Sequence, residues 1–436
     1  MERPATRRHS RRISWLVAGC LVVSGPILEI APVRAARATE TAPAIKVAAV
    51  GDPTPLGGTY GFVGSGPVAA GDQVLFYAGV EDGPPRTIHG SPSDDYLALL
   101  RYTEGSIEVV AAQGDPIPAL DDPDTPGPDC SLGLLELAST ASNGTEVVVW
   151  AEAVWSRIFG TECTGAGEGL FLVGDAGPKP LVMEGDPSPA GSRFSAFCGF
   201  KDPHMNAAGA VLFHSCLEDG RGGLFLASGG GIAEVALTGS PTPIGGTYGA
   251  IQGGHLGDAG EVVFFAITDA GEEGIFAPGR KIVAKGDTAP GVGTVLALSE
   301  PVSMNGGGLI LFPALVRLPD GTALDANFVT TFAGGLAEAK RLPVSDLPAT
   351  PVSDGGLVVL EDKFTAAHDR ELYRIGADGT ATSLGRLPRP RDPSPFGGTY
   401  HVIHPREVTA AGAVLVYTVI SSGGTLTPMV ALLPPI

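Results

Sequence analysis

Gly51-Asp52-Pro53-Thr54-Pro55-Leu56-Gly57-Gly58-Thr59-Tyr60 decides the fold, because the chain writes it more than once. It returns as Gly239-Ser240-Pro241-Thr242-Pro243-Ile244-Gly245-Gly246-Thr247-Tyr248 and as Asp392-Pro393-Ser394-Pro395-Phe396-Gly397-Gly398-Thr399-Tyr400. Shorter echoes start at Gly114-Asp115-Pro116, Gly185-Asp186-Pro187 and Gly286-Asp287, and a worn one lies near Asp346-Leu347-Pro348. A period of roughly 50 residues along most of the chain means a repeat architecture.

Each unit carries a second signature after the first. It reads Asn206-Ala207-Ala208-Gly209-Ala210-Val211-Leu212-Phe213 in one unit and Asn305-Gly306-Gly307-Gly308-Leu309-Ile310-Leu311-Phe312 in another, with looser versions from Asp258, Ser353-Asp354 and Thr409. A small polar residue followed by Gly makes a tight turn. The apolar run behind it predicts a central strand buried on both faces. A third strand opens at Gly169-Leu170, Gly223-Leu224 or Gly274-Ile275, and a fourth (as in Ile232-Ala233-Glu234-Val235-Ala236) leads into the next motif. Four short antiparallel strands per unit describe a propeller blade. The last unit is one strand short, and residues 45–50 precede the first motif as a fourth strand should. The expected fold is therefore all-β: a seven-bladed β-propeller of four-stranded antiparallel blades. The N-terminal strand would close it beside residues 428–433, leaving no open edge. A β-helix or open solenoid is the alternative, disfavoured by the unit length and the lack of visible caps.

Residues 1–38 read as an export signal. Arg3, Arg7, Arg8, Arg11 and Arg12 precede a mostly apolar stretch over 13–30, and Ala36-Arg37-Ala38 offers a cleavage site. Val17-Ala18-Gly19-Cys20 resembles a lipoprotein box, but Leu21-Val22-Val23 continues the apolar run, so lipid anchoring is the lesser reading. Residues 39–436 would then form a single propeller domain, secreted or periplasmic, without a stretch able to cross a bilayer. The whole chain carries a net charge of −19, and losing a segment with seven Arg and two Glu takes it to about −24. Such a surface repels phosphate backbones, which excludes nucleic acid as a partner. Gly (63) and Pro (38) are abundant but recur between apolar runs, which marks tight turns and not disorder. Past the signal lie Cys130, Cys163, Cys198 and Cys216. An even number in an exported chain predicts two disulfides with three possible connectivities; sequential pairing would keep each within one unit. Zinc is disfavoured, since no C-x-x-C occurs.

The pattern Asn206-x-x-Gly209-x-x-x-Phe213, with its copy at Asn305 to Phe312, resembles the bacterial exported proteins named for a tandem NxxGxxxF repeat. Those proteins share the intervening Gly-Asp phrase, and the resemblance runs over about seven units. It implies a propeller-like repeat domain and export, with no assigned activity and no catalytic residues.

Three sets of residues are candidates for chemistry. Asp52, Asp115, Asp186, Asp287 and Asp392 would ring one face and hold calcium or a cationic ligand. The favoured reading instead gives each carboxylate a backbone bond within its own turn, an Asx-turn closed by the following Pro. The loop containing Asp121, Asp122, Asp124 and Asp129 is the one candidate calcium site, although its spacing misses the EF-hand pattern. No other cofactor is expected. His204 and His255 each stand five residues before a strand-opening glycine, where the last unit has Glu407 and the fifth has Ser303. Loop histidines touching water are the favoured reading; convergence of the three at one rim of the tunnel is the alternative, and Ser303 at the same place in the fifth unit counts against it. No G-x-S-x-G, H-E-x-x-H or phosphate loop is present, so no catalytic residue is named. The expected function is a monomeric binding or scaffold module for an extracellular protein or glycan. The alternative is a hydrolase or lyase acting on an extracellular polymer. A scaffold predicts similar residues along the tunnel, and an enzyme predicts residues that differ between blades and cluster in one pocket.

Overall fold

A computed structural model describes residues 43–64, 67–88, 91–120, 130–134, 140–155, 166–289, 292–342, 347–348, 350–362 and 369–434. The export segment and the acidic loop of Asp121, Asp122, Asp124 and Asp129 lie outside these residues, as does Cys163.

Alternation along the strands builds the core. In the run after Gly209, Val211 and Phe213 join a buried cluster shared with the preceding unit, while Leu212 joins the cluster shared with the following one. Blade 3 shows the plan: strands Phe194–Met205, Val211–Leu217, Gly222–Ser228 and Gly231–Leu237 pair in that order, all antiparallel. The molecule is a seven-bladed β-propeller of such sheets. Among the described residues the buried apolar side chains fall into seven clusters, and each is shared by two adjacent blades. A strand buried on both faces is what packing sheet upon sheet around a ring requires.

The ring closes as the repeat count demands. Strand Ile45–Ala49 lies beside Thr425–Leu433, completing the sheet that starts with Thr399–Val408 and Val414–Ser422. Ile45 faces Leu432 and Ala49 faces Met429.

The Gly-Asp motif links the outer strand of one blade to the inner strand of the next. Gly51 N–H donates to the Tyr60 carbonyl and Tyr60 N–H to that of Asp52. The same reciprocal pair joins Gly185 and Asp186 to Phe194, and Gly239 and Ser240 to Tyr248. The second glycine of Gly-Gly-Thr-Tyr is obligatory. Gly58 sits at φ +72, and a Cβ there would drive into the Glu81 carbonyl.

The Asn-x-x-Gly turns clasp neighbouring blades. Asn206 Nδ2 donates to the Gly257 carbonyl at 3.3 Å, and Ala207 N–H to Asp258 at 3.2 Å. Asn305 repeats this towards Ser353, and Gly306 N–H reaches Asp354 at 2.7 Å. Across the closure, Ala411 N–H donates to Asp72 at 2.8 Å. Among the described residues no helix is long and apolar enough to cross a membrane.

Candidate functional site

The five repeated aspartates do one structural job each. Asp52, Asp115, Asp186, Asp287 and Asp392 accept the backbone N–H of Ala49, Ala112, Met183, Ala284 and Arg389 at 2.8–3.1 Å. Each carboxylate reaches back three residues, to the end of the preceding strand or, for Asp392, just past it, and not forward into an Asx-turn. Among the described residues no group of three or more His, Cys, Asp or Glu is placed to hold a metal ion.

The histidine positions do converge. His204 pairs with Leu212, His255 with Val263, Ser303 with Leu311 and Glu407 with Leu415, so all four occupy one register of the inner strand. His204, His255 and Glu407 line a cavity of about 220 Å³ at the end of the tunnel where the Asn-x-x-Gly turns meet. The two imidazole rings lie 4.4 Å apart between centroids. Ser303 is turned away: it is buried, and its hydroxyl accepts Val352 N–H at 3.3 Å. Pro351 takes the equivalent place in blade 6, five residues before Gly356.

None of the three side chains carries charge comfortably. Each is half-buried and lines the cavity. Burial pushes the Glu407 carboxyl up to about 8, against the effect of the Ala69 N–H that donates to it at 2.6 Å. His255 is held well below its ordinary value by burial and then by neighbouring His204, with the Val302 carbonyl pulling the other way. His204 is lowered by burial, opposed by the Asp202 carboxylate. Near pH 7 the cavity therefore holds two neutral imidazoles and a protonated acid.

Linkage turns these shifts into pH dependence. Folded Glu407 keeps a proton that the unfolded chain, with a carboxyl near 4.3, releases. The stability Glu407 contributes at low pH is thus lost as pH rises from about 4.3 to about 8. The histidines act oppositely: their contribution is complete above about 6.5 and lost as pH falls below it. Glu407→Gln keeps an acceptor for Ala69 and cannot ionise. It should match the natural protein at pH 5 and exceed it by about 1–2 kcal/mol at pH 8, discounted for the tunnel solvent. Urea melts at pH 5, 7 and 8 test this; curves that stay parallel would refute it.

Residues 18–222 and 160–336 match a family of unknown function (DUF7453). The chain belongs to this family. The match agrees with the coarser part of the repeat resemblance, an uncharacterised family on a propeller fold. No curated protein matches in sequence. Among solved structures, polysaccharide lyase Uly1 is similar at TM-score 0.45 and 10% identity, covering 91% of this chain and 100% of that one. The β-propeller domain of the Trilobed protease from Pyrococcus furiosus gives 0.38 and 10%, over 68% of this chain and 81% of that one. Trypanosoma rangeli sialidase gives 0.33 and 8%, over 89% and 56%. Likenesses this distant assign no activity.

In this member of the family, Cys198 and Cys216 form a disulfide within blade 3. The expected partner of Cys130, Cys163, lies outside the described residues. Of the clasping carboxylates, Asp258 and Asp354 read from the sequence as turn formers and not as clasps, and Asp72 is not singled out. Their common signal is a polar residue recurring just before the strand-opening run.

Proposed function

We propose that the protein is a binding propeller whose tunnel cavity takes one small, uncharged, hydroxyl-bearing group, such as the end of an extracellular glycan. The observation that carries this is the single register at which blades 3, 4 and 7 place His204, His255 and Glu407 in one cavity. A position with a per-blade structural task mostly keeps its residue, as the motif position does with Asp in five units and the turn-forming Ser240 in another; this one changes from blade to blade. A neutral imidazole carries one donor and one acceptor. The Val302 carbonyl already takes the donor of His255, and Ala69 N–H already holds one Glu407 oxygen. His204, the free His255 nitrogen and the Glu407 hydroxyl therefore supply both kinds of contact. That set matches hydroxyls and does not demand a charged ligand. A volume of about 220 Å³ is below the roughly 300–1,000 Å³ of sites for larger ligands, so one ring-sized group fits.

A second reading, a hydrolase or lyase, draws on one feature of the same cavity. A carboxyl with a proton to give near neutral pH beside imidazoles free to take one is an acid–base pair. Calorimetric titration with neutral oligosaccharides, run beside an assay for new reducing ends and unsaturated products, separates the two. Binding without turnover, weakened about tenfold by His255→Ala, fits the first reading. Turnover abolished by Glu407→Gln fits the second. Binding unaffected by either substitution removes the cavity from both.

A further inference from the structure

Blade 3 departs from its neighbours at one point on the inner strand. In blades 1, 4, 5 and 7 the strand takes three residues to move two places along its partner: Tyr60 to Val63, Tyr248 to Ile251, Val295 to Leu298 and Tyr400 to Ile403. Each carries a one-residue bulge there. In blade 3 the same step runs from Phe194, opposite Leu217, to Phe200, opposite Ser215, and takes six residues. Three residues are surplus to the repeat, and positions 196–199 have no partner on the adjoining strand.

The surplus is nevertheless held firmly. Cys198 is bonded to Cys216 on the next strand. Phe197 N–H donates to Ser195 Oγ at 3.1 Å. Gly199, at φ +68, lies so close over Trp150 that a Cβ would meet the indole at 2.5 Å. At the tip stands Phe197, 95% exposed, while Phe194, Phe200, Phe213 and Phe225 of the same blade are fully buried. Leaving a phenyl ring in water forgoes about 1.5–3 kcal/mol of burial. An idle surface loop would be polar and loosely held. This one is apolar at its tip and fixed at its base.

We propose that Phe197 is a stacking platform for a saccharide ring, a recognition point separate from the His204 cavity. Phe197 stands in the bulge between the Cys216 and Ser215 rungs and His204 stands opposite Leu212, three to four rungs away, which puts the two roughly 10–13 Å apart along the sheet. A sugar ring presents a face of C–H bonds inside a rim of hydroxyls, and one aromatic face covers one such ring. A protein partner would need a contiguous apolar patch. The other exposed large hydrophobics among the described residues, Ile45 and Leu426, are on blade 7. The ligand class rests on the binding reading above, and the two sites can fail separately.

Affinity electrophoresis of the full chain through gels containing xylan, mixed-linkage β-glucan or galactomannan tests the platform. The natural protein should be retarded in at least one gel. Phe197→Ala should weaken that by about fivefold or more, with Phe197→Trp retaining it. The melting temperature should stay within about 1 °C, since an exposed ring carries no core packing. Retardation in no gel, or equal retardation of Phe197→Ala, overturns the proposal. Loss in His255→Ala with Phe197→Ala unaffected sinks the platform and leaves the cavity; the reverse sinks the cavity and leaves the platform. Release by tetramethylammonium but not by sodium at equal ionic strength would identify a cation site and overturn the saccharide.

Discussion

Ala48→Asp should lower the melting temperature by about 10 °C or more, whereas Ile45→Asp, three residues earlier on the same strand, should change it little. Ala48 is 1% exposed and packs with Val47, Tyr60, Leu415 and Val430 between blades 7 and 1. Its neighbour Ala49 packs into the other cluster, between blades 6 and 7, against Leu357, Leu387 and Tyr400. One five-residue strand therefore seals both flanks of the last blade. A carboxylate at Ala48 would be buried without a partner, at a cost of several kcal/mol. The chain would relieve it by releasing the strand, which uncovers an unpaired edge. Ile45 is 41% exposed, so the same charge there stays in water. Matched thermal melts of both variants decide the matter. If Ala48→Asp melts with the natural protein, the strand does not hold the ring.

What was legible in the sequence was whatever is local and periodic. The Gly-Asp turn, the apolar run after Asn206-x-x-Gly209 and the missing fourth strand of the last unit each specify geometry within a few residues. Together they fixed the blade, the number of blades and the strand that closes them. Contacts between units were not legible, because they depend on residues about 50 apart. Asn206 and Asp258 read as turn formers, and each is one, yet Asn206 also bonds the Gly257 carbonyl while Asp258 receives Ala207 N–H. The tunnel trio was half legible. Its common spacing placed His204, His255 and Glu407 together, but burial, which sets their charge states, has no local signature. Ser303 at the same spacing does not join the site because its hydroxyl is bonded to Val352 N–H of blade 6. The insertion carrying Phe197 was masked by unit lengths that vary for other reasons; only strand register isolates it.

Phe213→Ala should destabilise the protein by about 3–5 kcal/mol, more than Val416→Ala at the equivalent position of blade 7. Both residues stand four places after the strand-opening glycine, and both are fully buried. They differ in what surrounds them. The Phe213 ring lies 5.9 Å from that of Phe194, 6.1 Å from Phe200 and 5.8 Å from Phe225, while Phe194 meets Phe225 edge-on at 5.0 Å. Removing one ring leaves a hole lined by three stiff rings and by Val148, Leu170 and Val182 of blade 2, and such walls collapse poorly. Around Val416 the cluster is mostly aliphatic and the deleted volume small, which predicts about 1–2 kcal/mol. Phe213→Leu, which keeps much of the volume, should fall between them. Denaturant midpoints at constant slope measure all three. Equal losses for Phe213→Ala and Val416→Ala would mean that the aromatic group in blade 3 adds nothing beyond its bulk.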